Sequence, residues 1–175
     1  MLERTPTQAA TAWLSDFGLA LEAGDIRGAL ALFEADACWR DLVSFTWNIA
    51  TQEGVVAIGV MLETVLGDVE PSGFALDGEA TLEDGAVEAW FSFETKVARG
   101  RGHLRLRGGK CRTLLTTMTE LKGFEESKGP TRSQGVVHGA RKGRVTWLEE
   151  KRRDEAELGH SRQPYCVIIG GGQGG

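Results

Sequence analysis

The sequence predicts an α+β fold in which three helices pack into the concavity of a curved antiparallel sheet. Two observations carry this. From Thr5 to Gly67 apolar residues recur at three- and four-residue spacing, and near Phe74 the pattern switches to the two-residue alternation of half-buried strands. The alternating segments are then separated by short glycine turns at Asp84-Gly85, Arg99-Gly100-Arg101-Gly102 and Gly108-Gly109, which join neighbouring strands in antiparallel order.

Thr5-Pro6-Thr7-Gln8 is a capping box with proline at the first helical position, so a helix starts there and runs to Gly24. Ala9, Trp13, Phe17, Ala20 and Leu21 form its buried face. Asp25 caps a shorter helix over Ile26 to Phe33, and a brief strand follows around Cys38 to Asp41. A third helix begins at Thr51 or Gln52, carries Val55, Val56, Ile58, Met61, Leu62 and Val65, and ends at Gly67. Strands are predicted at 74–82, 86–97, 103–107 and 111–121. Val87, Ala89, Phe91 and Phe93 supply the inner face of the longest, and Trp90 on its other face implies that the outer side is partly covered. Helices inside a curved sheet make a cone with a floor, walls and a mouth.

A chain of 175 residues has room for one well-buried domain and an appendage, with 41% hydrophobic and 26% charged residues as in ordinary globular proteins. No stretch reaches the ~20 apolar residues that span a bilayer, and the N-terminus lacks a basic-then-apolar secretion pattern, so the expected location is cytoplasmic with no membrane partner. Cys38, Cys111 and Cys166 are isolated, and His103, His138 and His160 fall in three different segments, so no metal site is expected.

Charge is asymmetric. Residues 1–95 hold 17 acidic and 3 basic side chains, whereas residues 96–175 hold 8 acidic and 17 basic. His103-Leu104-Arg105-Leu106-Arg107 places basic groups on one face of a strand, where acidic neighbours can pair with them. No aromatic residues interleave with the arginines to stack bases, so nucleic acid is not an expected partner.

Beyond Gly123 the composition turns polar, and Trp147 to Glu155 reads as a charged surface helix in a linker. The chain then carries Tyr165-Cys166-Val167-Ile168-Ile169 followed by Gly170-x-Gly172-x-x-Gly175. An apolar strand ending in G-x-G-x-x-G is how a dinucleotide-binding unit begins: the glycines permit the tight turn, the approach of the pyrophosphate and close packing of helix on strand. The phosphate-binding helix and second strand are not in the sequence, so Gly170, Gly172 and Gly175 are expected to form an incomplete site that holds no cofactor. The expected organisation is a cone domain over 1–123, a charged linker over 124–163 and an orphan strand and glycine loop over 164–175.

Leu21-Glu22-Ala23-Gly24-Asp25, Ala31-Leu32-Phe33 and Asp36-Ala37-Cys38-Trp39-Arg40-Asp41 resemble the N-terminal half of the cone-shaped NTF2-like superfamily, which includes ketosteroid isomerases and SnoaL-type polyketide cyclases. The resemblance extends over residues 7–123. The stretches 39–49 and 114–123, with Gln163-Pro164-Tyr165 ahead of the glycines, are similar to bacterial flavin-containing monooxygenases that carry such a domain before their FAD domain. This likeness implies a parent using FAD and NADPH, of which the chain would be an accessory domain, inactive as an oxidoreductase by itself and serving dimerisation or covering the flavin site. The alternative is an independent small-molecule binder, or an isomerase or cyclase, that uses the cone.

The resemblance also nominates residues. Asp41 falls where ketosteroid isomerases place the aspartate that shuttles the proton, and a carboxylate at the mouth of an apolar cone suits a general base. Phe17 falls where those enzymes place an oxyanion-stabilising tyrosine, and it has no hydroxyl; loss of such a donor is worth about 3 kcal/mol of transition-state stabilisation. Thr117, Thr119 or the Trp39 indole are the substitute donors nearest to hand. Against catalysis stands a wall role for Asp41, paired with Arg40 or a strand arginine. Phe17, Trp39 and Trp47 either line a pocket for a small apolar ligand or pack as core. A homodimer is expected through an apolar outer sheet face of Trp90 with whichever of Leu104, Leu106 and Leu115 point outward.

Overall fold

The computed structural model describes residues 4–132, 135, 139, 142–163 and 166. The chain divides into one compact unit ending at Arg132 and a second comprising residues 133–175.

The first unit is the predicted α+β cone. Helix α1 spans Pro6–Glu22 and starts as expected: the Thr5 hydroxyl accepts from the Gln8 amide at 3.2 Å while the Gln8 side chain accepts from the Thr5 amide at 3.0 Å. Ala10, Trp13, Leu14, Phe17 and Leu21 are its buried face. Asp25 caps α2 (Ile26–Ala31) by accepting from the Gly28 amide at 2.9 Å. The strands are β1 (Phe33–Leu42), β2 (Ile49–Glu53), β3 (Ser72–Leu76), β4 (Thr81–Glu83), β5 (Ala86–Glu94), β6 (Ala98–Arg107) and β7 (Lys110–Leu121), with α3 (Gly54–Val69) between β2 and β3. They form one seven-stranded sheet in the order β2-β1-β7-β6-β5-β3, with β4 also on β5. Every pair is antiparallel except β1 with β7, which is parallel and sets Trp39 beside Leu114 and Asp41 beside Thr116.

Several elements differ from their sequence expectation, and α2 ends at Ala31, leaving Phe33 to open β1. Strand β2 occupies Thr51 and Gln52, expected as a helix start; α3 begins at Gly54, whose φ of +79° makes the strand-to-helix corner. Strand β1 is longer than expected because its solvent-facing positions break the alternation that would have revealed it. The expected strand over 74–82 is two, interrupted around Gly78 at φ +92°. Arg99-Gly100-Arg101-Gly102 is strand rather than turn: the Phe91 and Phe93 rings lie over Gly102 and Gly100, so a Cβ at either glycine would overlap an aromatic ring. The turn falls instead at Thr95–Val97, where the Thr95 amide donates to the Ala98 carbonyl at 2.8 Å.

The outer sheet face is less apolar than expected: Trp90 and Leu115 lie on it, on either side of His103 and among charged neighbours. Leu104 and Leu106 point inward and are buried, while the outer positions form an ion-pair ladder. Arg99 bonds Glu120 and Glu125, both at 3.0 Å, Arg101 pairs with Asp77 at 2.8 Å, and Arg105 pairs with Glu88 at 2.7 Å. Trp90 lies under the Arg101 guanidinium at 4.4 Å and beside His103. The strand arginines thus pair with acidic neighbours, as their alternation implied.

In the second unit, α4 (Trp147–Glu157) has a capping box between Thr146 and Glu149 and no buried residue, the charged surface helix that was expected. The glycines Gly170, Gly172 and Gly175 and the apolar run before them, Cys166 apart, lie outside the described residues, as does His138. Among the described residues no helix is long and apolar enough to cross a membrane, and no three His, Cys, Asp or Glu side chains are grouped to hold a metal.

Candidate functional site

From Ala37 onward β1 alternates, so Ala37, Trp39 and Asp41 face the cone interior and all three are completely buried. Just beyond, residues 43–48 form an arch returning to β2, closed by the Val43 amide on the Asn48 carbonyl at 3.0 Å. Two side-chain-bearing residues of this arch sit in the left-handed region, Val43 at φ 60° and Trp47 at φ 54°. For a β-branched valine that conformation is strained and persists only where the surroundings enforce it.

Asp41 supplies the enforcement. Its Oδ2 accepts from the Phe45 amide at 3.0 Å, from the Thr46 amide at 2.8 Å and from the Thr46 hydroxyl at 2.8 Å. Its Oδ1 accepts from the Ser44 hydroxyl, and from the Thr116 hydroxyl at 2.8 Å. The Trp39 indole N–H donates to Thr116 Oγ at 2.9 Å, and since an indole only donates, Thr116 must pass its own proton on to Asp41. Five donors fill the about four lone-pair sites of one carboxylate. Among the described residues no arginine takes part. Arg40 points the other way and donates to Thr51 at 3.0 Å on the exposed side, which corrects the expectation of an Asp41–Arg40 pair.

The interior beside Asp41 is solid. Phe17 lies 5.7 Å from Trp39 and 5.8 Å from Phe33, and Trp39 lies 5.0 Å from Phe45, which continues to Phe93 at 5.8 Å. Phe17 and Trp39 are 0% exposed and Phe33, Phe45 and Phe93 are at most 2% exposed. A ring bordering a water-sized void would retain accessible surface, so no such space adjoins Phe17 or Trp39. Phe17 and Trp39 are therefore core and not pocket lining, and Phe45 plugs the cone above Asp41. The substitute donors fare no better: the Trp39 indole is committed to Thr116, the Thr117 hydroxyl donates to the Met118 carbonyl at 3.4 Å, and the Thr119 hydroxyl donates to the Arg99 carbonyl at 3.0 Å.

Trp47 differs from the other two. It is 61% exposed and, with the outer surface of Phe45, forms one wall of a groove of about 280 Å³ at the mouth of the cone. Val65, Asp68 and Val69 of α3 form the second wall, and Thr95 and Val97 of the β5–β6 turn the third. The last turn of α3 continues to Val69, past the glycine expected to end it, and its final carbonyl accepts from the Lys96 amide at 2.8 Å. That bond fixes the second and third walls to each other. A larger groove of about 720 Å³ lies between the C-terminal ends of α1 and α3; it has an apolar floor, a rim of Glu22, Glu63 and Glu70, and no aromatic side chain.

Ser44, Thr46 and Thr116 were not singled out from sequence. The signal for two of them is local: an aspartate followed at three and five positions by Ser and Thr is the composition of a side-chain-capped turn. Thr116 becomes visible only through the parallel β1–β7 register. Cys111 is buried against the helices and its thiol is pushed up to about 12 by burial, which makes it inert.

The fold and site define an α+β cone whose interior is filled and whose mouth is grooved. Among solved structures this architecture is that of the NTF2-like proteins. A Bacillus subtilis protein provisionally assigned as an isomerase is similar at a TM-score of 0.52 and 15% identity, over 66% of this chain and 90% of that one. A protein of Xanthomonas campestris pv. campestris, provisionally assigned as a polyketide cyclase, is similar at 0.51 and 16%, over 66% and 93%. An NTF2-like protein of unknown function from Burkholderia pseudomallei is similar at 0.49 and 14%, over 63% and 91%. No family profile and no curated protein matches the chain.

Proposed function

We propose that the cone unit is a small-molecule-binding protein of NTF2-like fold that takes an apolar ligand in the groove at its mouth and performs no proton transfer through Asp41. The carrying observation is the arch at 43–48. Its strain at Val43 and Trp47 is held by the Asp41 network, and the result is one aromatic ring turned in as a plug and another turned out as a wall. Backbone strain enforced by a buried network, ending in an exposed tryptophan over a valine-lined groove, is the form of a ligand clamp. The isomerase and cyclase assignments of structural neighbours support a small-molecule role in general terms.

Titration with the neutral fluorophore 1-N-phenylnaphthylamine tests this. Saturable enhancement is expected, lost in Trp47→Ala and in Val65→Asp and retained in Leu19→Ala, an exposed α1 residue that does not line the groove. Enhancement that survives both groove variants would refute the assignment.

A second reading places the unit as an accessory domain of a flavin enzyme using FAD and NADPH. It is supported by sequence alone: the glycine pattern after Tyr165 and the likeness of residues 39–49 and 114–123 to such enzymes. On that reading the chain by itself binds no flavin, and its co-elution with a separately purified FAD domain of a flavin monooxygenase would favour it.

A further inference from the structure

We infer that the mouth groove selects ligands carrying a positive charge on an apolar body, such as an arylalkyl amine, with Asp68 and the Trp47 ring as the cation-recognising pair. The inference rests on the groove being a ligand site. Of the residues lining it, Asp68 is the one with an ionisable side chain, and it is acidic. Thr64 and Asp68 stand four residues apart on one face of α3 and both line the groove, so the carboxylate opens on the same space as the Trp47 ring. Asp68 also sits in the last turn of α3, where the helix dipole presents its negative end and favours a cation further. The face of an exposed indole is the best aromatic surface for an ammonium group.

The nearest competing cation is held elsewhere. Lys96 lies between the lining residues Thr95 and Val97, but its ammonium is bonded to Glu70 at 2.6 Å, outside the groove lining. Asp68 adds a smaller attraction to the same ammonium. An incoming cation therefore meets a carboxylate without a bonded partner among the described residues, a π face and a helix C-terminus, while a neutral ligand meets only Val65, Val69, Val97 and the ring.

Three probes with one body and different heads separate the terms: 4-phenylbutylamine, 4-phenyl-1-butanol and 4-phenylbutyrate at pH 7, followed by the Trp47 indole N–H shift in NMR titrations. The amine is expected to bind on the order of tenfold tighter than the alcohol, and the carboxylate weakest, with the margin shrinking as salt is raised. Asp68→Asn is expected to abolish the preference, so that amine and alcohol bind that variant equally, whereas Lys96→Gln, which removes the competing cation, is expected to tighten the amine. Equal binding of amine and alcohol would overturn cation selection and leave the groove as a ligand site. Binding of none of the three would remove the site itself.

Discussion

Thr116 donates its hydroxyl proton to Asp41 at 2.8 Å across the one parallel strand pair of the sheet, and this bond ties the mouth arch to the centre of the cone. The carboxylate is a structural keystone whose partners are all hydroxyls and amides. Asp41→Asn places an NH2 against donors of Phe45 or Thr46, and is expected to cost about 3 kcal/mol in urea unfolding. Thr116→Val strands the Trp39 indole N–H without an acceptor, for about 1–3 kcal/mol. An Asp41→Asn protein as stable as wild type would mean that the carboxylate does not hold the arch.

Phe17→Tyr restores a hydroxyl at the position where ketosteroid isomerases use one, but here the ring is packed on all sides by Trp13, Phe33, Trp39 and Phe74. The buried hydroxyl is expected to cost about 1–3 kcal/mol and to confer no isomerisation of a 5-en-3-one steroid. Turnover that then disappears in Phe17→Tyr/Asp41→Asn would restore the catalytic reading.

Much of the fold was legible because its signals are local. The Thr5 capping box, the heptad-like face of α1 and the alternation of β5 and β7 each declare themselves within a dozen residues. What stayed hidden depends on distant partners. Strand β2 is five residues with no buried side chain, so only its pairing to β1 identifies it. Gly100 and Gly102 look like turn residues until the rings of Phe91 and Phe93 are placed over them. Asp41 was singled out through the family resemblance as a carboxylate at the mouth of the cone, but its role depends on Thr116, 75 residues on.

The glycine reading yields its own prediction. Gly102→Ala drives a methyl group into the Phe91 ring and is expected to destabilise by about 1–3 kcal/mol, partly recovered by Phe91→Leu in the same chain. Thermal unfolding of the two single variants and the double variant measures the coupling. Simple additivity would show that the ring does not require the glycine.

On the outer face, desolvation holds His103 below its ordinary value of 6.5, against the opposing pull of Glu88. Just below pH 6.5 the unfolded chain then binds more protons than the folded one, so stability falls as pH drops through that window and levels off beneath the folded value. His103→Gln is expected to flatten this slope while leaving stability at pH 8 nearly unchanged. A slope of opposite sign in the wild type would mean that Glu88 outweighs burial.

The filled cone with a binding mouth is tested most directly by comparing two tryptophans in one titration. With 4-phenyl-1-butanol added to the labelled protein, the indole N–H of Trp47 is expected to shift and saturate while that of Trp39, bonded to Thr116 in the core, stays in place. A saturating shift at Trp39 with Trp47 unmoved would show that the ligand enters the cone interior and would contradict the account.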